Sequence, residues 1–137
     1  MSYVPVVLIC LALLLMSCSQ HTIDREIKSD IATKAKSETC FAGINYIVAN
    51  GRVHLSGTYP TDACRQKIIS KIQGIAGVSE IDNRMVPGEV VLNQDYELKL
   101  RLDSVLSRYP SVMAQLSGNN IYLRGNLPSA EAKKLID

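Results

Sequence analysis

The side chains with which this 137-residue chain could do chemistry are four cysteines, two histidines and thirteen carboxylates, and their spacing narrows the choice. Neither Cys-x-x-Cys nor His-x-x-x-His occurs, so the ligand spacing of a zinc site is missing. There is no Gly-x-Ser-x-Gly, and no cysteine has a base partner close by, so nucleophilic catalysis lacks its parts. His21 falls in a polar stretch and His54 on the less apolar side of a strand; both read as surface residues. No catalytic residue, metal or cofactor is expected. What remains is chemistry at sulfur. Cys10 lies inside an apolar leader and Cys18 at its end, while Cys40 and Cys64 fall in the body of the chain. The last two are disulfide candidates, the alternative being two buried free thiols.

The elements that must position these residues are organised around Asn50-Gly51-Arg52-Val53-His54-Leu55-Ser56-Gly57. Asn-Gly favours a type I′ turn, which needs positive φ at both central residues, so the stretch predicts a hairpin with the run from Ile44 to Ala49. A two-residue turn sets Val48 opposite Val53 and Tyr46 opposite Leu55, with Ile44, Tyr46, Val48, Val53 and Leu55 on one apolar face. The pattern recurs: Val53, Leu55, Gly57 and Pro60 match Ile121, Leu123, Gly125 and Pro128 at a constant offset of 68 residues, which points to an internal duplication. Gly57 and Gly125 each end a second strand where the chain turns sharply, and both are expected to be structural. The same hairpin register places residue 40 opposite about residue 61, one helical turn from Cys64, so the two cysteines could approach bridging distance.

Residues 4–16 are an apolar run too short for the ~20 residues that a bilayer core requires, and the length suits a signal peptide. The Leu15-Met16-Ser17-Cys18 that follows resembles the bacterial lipobox, which implies cleavage before Cys18 and lipid attachment there. The leader departs from the pattern in carrying no Lys or Arg ahead of the apolar run. A buried apolar helix or an uncleaved anchor is the competing reading. Ser19, in place of Asp, favours the outer membrane if the envelope is Gram-negative.

Asp24 to Glu38 reads as a helix, with Ile23, Ile27, Ile31 and Ala35 at i, i+4 steps; a second helix follows from Asp62 to about Gln73, and Val78 to Val86 as a third strand. Asp95 to Arg108 reads as another long helix with Leu98, Leu102 and Val105 towards the core. That leaves Tyr96 and Leu100, flanked by Lys99, Arg101 and Arg108, as a candidate membrane contact at headgroup level. The alternative packs Leu100 under the linker or the first unit. Net charge is only +2, with no Trp and one Phe, so nucleic acid is not an expected partner.

The order α-β-β-α-β, with Gly51, Val53, Leu55, Gly57, Gly77, Val78, Ile81 and Asn83 in the pattern G-x-V-x-L-x-G…G-V-x-x-V-x-N, resembles the BON domain of bacterial envelope proteins. With the lipobox, the layout resembles dual-BON lipoproteins. The expected fold is α+β: a signal peptide at 1–17, a tether at 18–23, a BON domain at 24–86, a linker at 87–94 and a partial αββ(α) repeat at 95–137. The resemblance implies a non-enzymatic protein of the envelope, facing the periplasm, that binds anionic phospholipid and supports envelope integrity. An oxidising compartment would favour the Cys40–Cys64 bridge. The alternative function is an assembly adaptor that meets envelope proteins, or a second copy of itself, through the incomplete second unit. A third reading is a truncated form, poorly ordered beyond Asn126.

Overall fold

The computed structural model describes residues 4–92 and 94–136, with side chains described for 19–92 and 95–135. The chain runs α1 (Val4–Lys36), a 3-10 turn (Thr39–Phe41), β1 (Ile44–Ala49), β2 (Arg52–Tyr59), α2 (Asp62–Gln73), β3 (Glu80–Pro87), α3 (Gln94–Leu106), β4 (Val112–Ser117), β5 (Asn120–Gly125) and α4 (Ser129–Ile136). It is a mixed α+β fold with a three-stranded sheet β1-β2-β3 and a two-stranded sheet β4-β5.

Turn chemistry sets the first sheet. Asn50 and Gly51 both take positive φ, 53° and 75°, as a type I′ turn requires. The register is the expected one, with Val48 opposite Val53 and Tyr46 opposite Leu55, and β3 joins β2 in parallel from Arg52↔Glu80 to Tyr59↔Pro87. The inner faces of β1 and β2 pack on Ile27 and Ile31 of α1 and Ile68 and Ile72 of α2; none of these aliphatic residues is more than 1 % exposed. Thr61 caps α2 by accepting a 3.2 Å hydrogen bond from the Cys64 amide.

The duplication is present in the backbone. Shifted by 68, β1 (44–49) falls on β4 (112–117), and the 2.9 Å bond from Thr58 N–H to the Gly43 carbonyl falls on the 3.3 Å bond from Asn126 N–H to the Ser111 carbonyl. The two glycines share one constraint. A Cβ on Gly57 would stand 2.1 Å from the Gly43 oxygen, and one on Gly125 would stand 2.1 Å from the Ser111 oxygen. Only a residue without a Cβ lets the second strand leave its hairpin that close to the first.

Two expectations need adjustment. The polar stretch 19–23 is helical and continuous with α1, not an extended tether; Gln20 Nε2 donates to Asp24 Oδ1 at 3.3 Å, one turn on. The third strand starts at Glu80, because positive φ at Gly77 and the turn around Val78 delay it. Residues 90–92 form no regular element, and the Val90 side chain lies against Gly43. Whether residues 1–17 are removed lies outside what the structure describes.

Cys40 and Cys64 form a disulfide, with Cα atoms 5.2 Å apart and a sequence separation of 24. It ties the 3-10 turn to the first turn of α2. Closing a loop of that length stabilises by about 3 kcal/mol on the chain-entropy model. The double variant Cys40→Ser/Cys64→Ser is therefore expected to unfold at a lower urea concentration with its m-value little changed. An unaltered midpoint would contradict a structural role for the bridge.

Candidate functional site

The described side chains converge most densely where α1 meets both units. Asp24 and Lys28 stand one turn apart on α1, and both are buried, at 7 % and 2 % exposure. Asp24 turns to the first unit: its carboxylate accepts from the Asn50 and Gly51 amides, both at 2.8 Å. Lys28 turns to the second. Its Nζ donates to the carbonyls of Tyr109 (3.1 Å), Pro110 (3.4 Å) and Val112, the corner between α3 and β4. Beside it the Val48 amide of β1 donates to the Pro110 carbonyl at 2.8 Å.

Around this corner the charges are balanced. Lys99 pairs with Asp103 one turn along α3 at 2.6 Å, with little of either side chain exposed. The Tyr46 ring lies between the Lys28 and Lys99 ammonium groups, 5.6 and 5.9 Å from its centroid, within cation–π range. Burial pushes the Lys28 amine down to about 7, opposed by Asp103 and reinforced by Lys99. Burial, then Asp103, pushes the Tyr46 phenol up. These groups hold backbone to backbone. Lys99 also lines an open cleft of about 320 Å³ with Asp95 and Tyr96.

The sequence-derived candidates separate into two groups. Tyr96, Lys99 and Leu100 are half-buried. Tyr96 Oη donates to the Ala35 carbonyl at 3.4 Å, Lys99 is engaged with Asp103, and Leu100 packs against the first unit's core. Arg101 and Arg108 are exposed. The face of α3 expected to be buried is in part the solvent face: Leu98 is 40 % and Val105 61 % exposed, while Leu102 and Leu106 enter the second core. The physical reason is the Lys99–Asp103 pair. Opposite charges one turn apart neutralise each other and can be buried against α1, so polarity did not mark the outer face. Cys18 sits in α1, and its side chain lies outside the described residues.

A second feature is the bare hairpin of the second unit. Val53 and Leu55 are 0 % and 1 % exposed, whereas their counterparts Ile121 and Leu123 are 47 % and 43 % exposed. In the first unit β3 and α2 cover that region. Among the described residues no strand pairs with the outer edge of β5, and every residue of β5 is exposed.

On the outer side of the first sheet, His54 Nδ1 lies 2.9 Å from Asp82 Oδ2, and Arg84 Nε donates to the same oxygen at 3.0 Å. Those contacts, His54 first, hold the Asp82 carboxyl below its ordinary range. Among the described residues no group of three or more His, Cys, Asp or Glu could hold a metal ion.

The BON domain family matches residues 20–89, just over half of the chain: the C-terminal part of α1, the whole of the first sheet and α2. This chain belongs to the BON domain family. A search of curated proteins returns no match. BON domains as a class are non-enzymatic envelope modules that associate with phospholipid membranes. The arrangement around Asp24 and Lys28 is in keeping with such a module, since it fixes surfaces relative to one another.

The buried amine makes a signed prediction. Folding lowers the Lys28 pKa from 10.5 to about 7, so between those values the unfolded chain carries more protons. Stability must then rise with pH across that window. Denaturant unfolding at several pH values is expected to show this rise in the parent and a flatter profile in Lys28→Met. A parent profile no steeper than the variant's would contradict a titrating amine at this position.

Proposed function

We propose that this BON protein is a lipid-anchored envelope component, attached through Cys18, that lays α3 against anionic phospholipid and supports the integrity of the outer membrane from its periplasmic side. The observation that carries the reading is the outward stripe of α3. Leu98, Arg101 and Val105 of α3, and Arg108 in the turn after it, follow one another at three- and four-residue spacing and are all exposed. Aliphatic side chains alternating with guanidinium groups suit the boundary between acyl chains and phosphate. No helix among the described residues is long and apolar enough to cross a membrane, so the protein part would add contact at a surface to the grip of the lipid.

The packing supports this arrangement. α3 lies antiparallel beside α1: Tyr96 near its start donates to the Ala35 carbonyl, and the Tyr109 carbonyl beyond its end accepts from Lys28. The stripe therefore runs alongside α1, and a protein held at Cys18 would bring all of it to lipid by laying α1 along the surface. A second reading, an adaptor that accepts an envelope protein or a second copy on β5, is favoured by the exposed Ile121 and Leu123.

Flotation with phosphatidylglycerol vesicles separates the two. The parent is expected to float and Leu98→Asp/Val105→Asp to lose most of that binding, while Ile121→Ser/Leu123→Ser floats as the parent does. Intact mass should show a chain beginning at an acylated Cys18. Undiminished flotation of the α3 variant, or an unmodified Met1 terminus, would count against the proposal.

A further inference from the structure

Between α1 and the C-terminal end of α3 lies an open cleft of about 430 Å³, lined by Thr22, Arg25, Glu26, Ser29, Ser107 and Arg108. We infer that Arg25, Ser29 and Arg108 form a binding site for a phosphate-bearing anion, either the phosphate of a lipid headgroup or a free phosphate. The lipid source rests on the membrane reading above; the site itself does not.

Charge and donor geometry favour this ligand. Among the described residues neither guanidinium has a carboxylate partner, whereas Arg52, Arg65, Arg84, Lys67, Lys71 and Lys99 do. The Arg25 fork on α1, the Arg108 fork in the turn after α3 and the Ser29 hydroxyl on α1 line the same cleft, so donors come to it from two segments of the chain. A tetrahedral oxyanion can accept from all of them, whereas a planar carboxylate is satisfied by one fork. The Ser107 hydroxyl donates to the Ser104 carbonyl at 2.7 Å and serves as wall, not donor. The two arginines outweigh Glu26, the only carboxylate of the cleft, leaving a net charge of +1 on its lining.

Arg25 stands seven residues beyond Cys18 on one continuous helix, a rise of about 10 Å. A chain anchored at Cys18 would carry the cleft at headgroup depth.

The test uses the full-length chain in nonionic detergent, with side-chain arginine NMR during titration with inorganic phosphate against chloride at matched ionic strength. Saturable shifts of the Arg25 and Arg108 Nε–H signals are expected. Arg25→Gln and Arg108→Gln should each weaken binding about tenfold, the order of one charge-assisted hydrogen bond. Glu26→Gln should tighten it about threefold by removing a like charge. A parallel flotation series with phosphatidylglycerol vesicles assigns the source: weaker flotation of Arg25→Gln identifies the lipid headgroup, and unchanged flotation alongside weakened phosphate binding identifies a free phosphate. Phosphate shifts no larger than those with chloride, or all three variants binding as the parent does, would overturn the site, even where vesicles still bind and the membrane reading stands.

Discussion

Two side chains one turn apart on α1 hold the molecule together. Asp24 accepts the two amides of the Asn50-Gly51 turn, and Lys28 donates to three carbonyls at the corner before β4. Backbone donors on one side meet an acid, and backbone acceptors on the other meet a base. Both groups are buried, and a charge is tolerable in a protein interior only when hydrogen-bonded in this way. Because neither partner is a side chain, the interactions fix where the main chain of each unit lies. Every surface discussed above depends on that relative placement, including the stripe on α3 and the cleft between Arg25 and Arg108.

The two units resemble each other more in backbone than in energetics. Gly57 and Gly125 solve the same steric problem, and the Thr58–Gly43 bond has its counterpart in Asn126–Ser111. Yet the first unit has a large core with a disulfide at its margin, while among the described residues the hydrophobic cluster of the second is built on Leu106, Val112 and Ala114. So small a core gives little stability alone. The second hairpin is held largely through its junction with α1 and β1. That leaves the outer side of β5 open and places the burden of order on the Lys28 corner.

Much of the fold was legible because it is local chemistry. Asn-Gly specifies its turn, alternation specifies the buried face of β1 and β2, and a fixed offset carries the two-stranded pairing, though not the buried face of its second strand, to the second hairpin. The proximity of Cys40 and Cys64 followed from register. The inner face of α3 was not legible, because it is built from Lys99 and Asp103, and hydropathy assigns both to solvent. Lys28 was hidden for a related reason. It borders the Ile27–Ile31 stripe as an ordinary rim lysine, and its partners are carbonyls 81 to 84 residues away, which no side-chain identity announces. The clue available was an i, i+4 acid–base pair, Asp24 and Lys28, lying beside that stripe instead of opposite it. The continuity of α1 through 19–23 was masked by polar residues whose support is itself helical, as in the Gln20–Asp24 bond.

The most direct test of α1 as the common support is residue-resolved hydrogen exchange on the parent and Lys28→Met. The Val48 amide bonds across the junction to Pro110, whereas the Asn50 and Gly51 amides bond to Asp24 within the first unit. In the variant, Val48 is expected to exchange much faster while Asn50 and Gly51 keep their protection. Unchanged exchange at Val48, or equal loss at all three positions, would contradict separate anchoring of the two units by one helix.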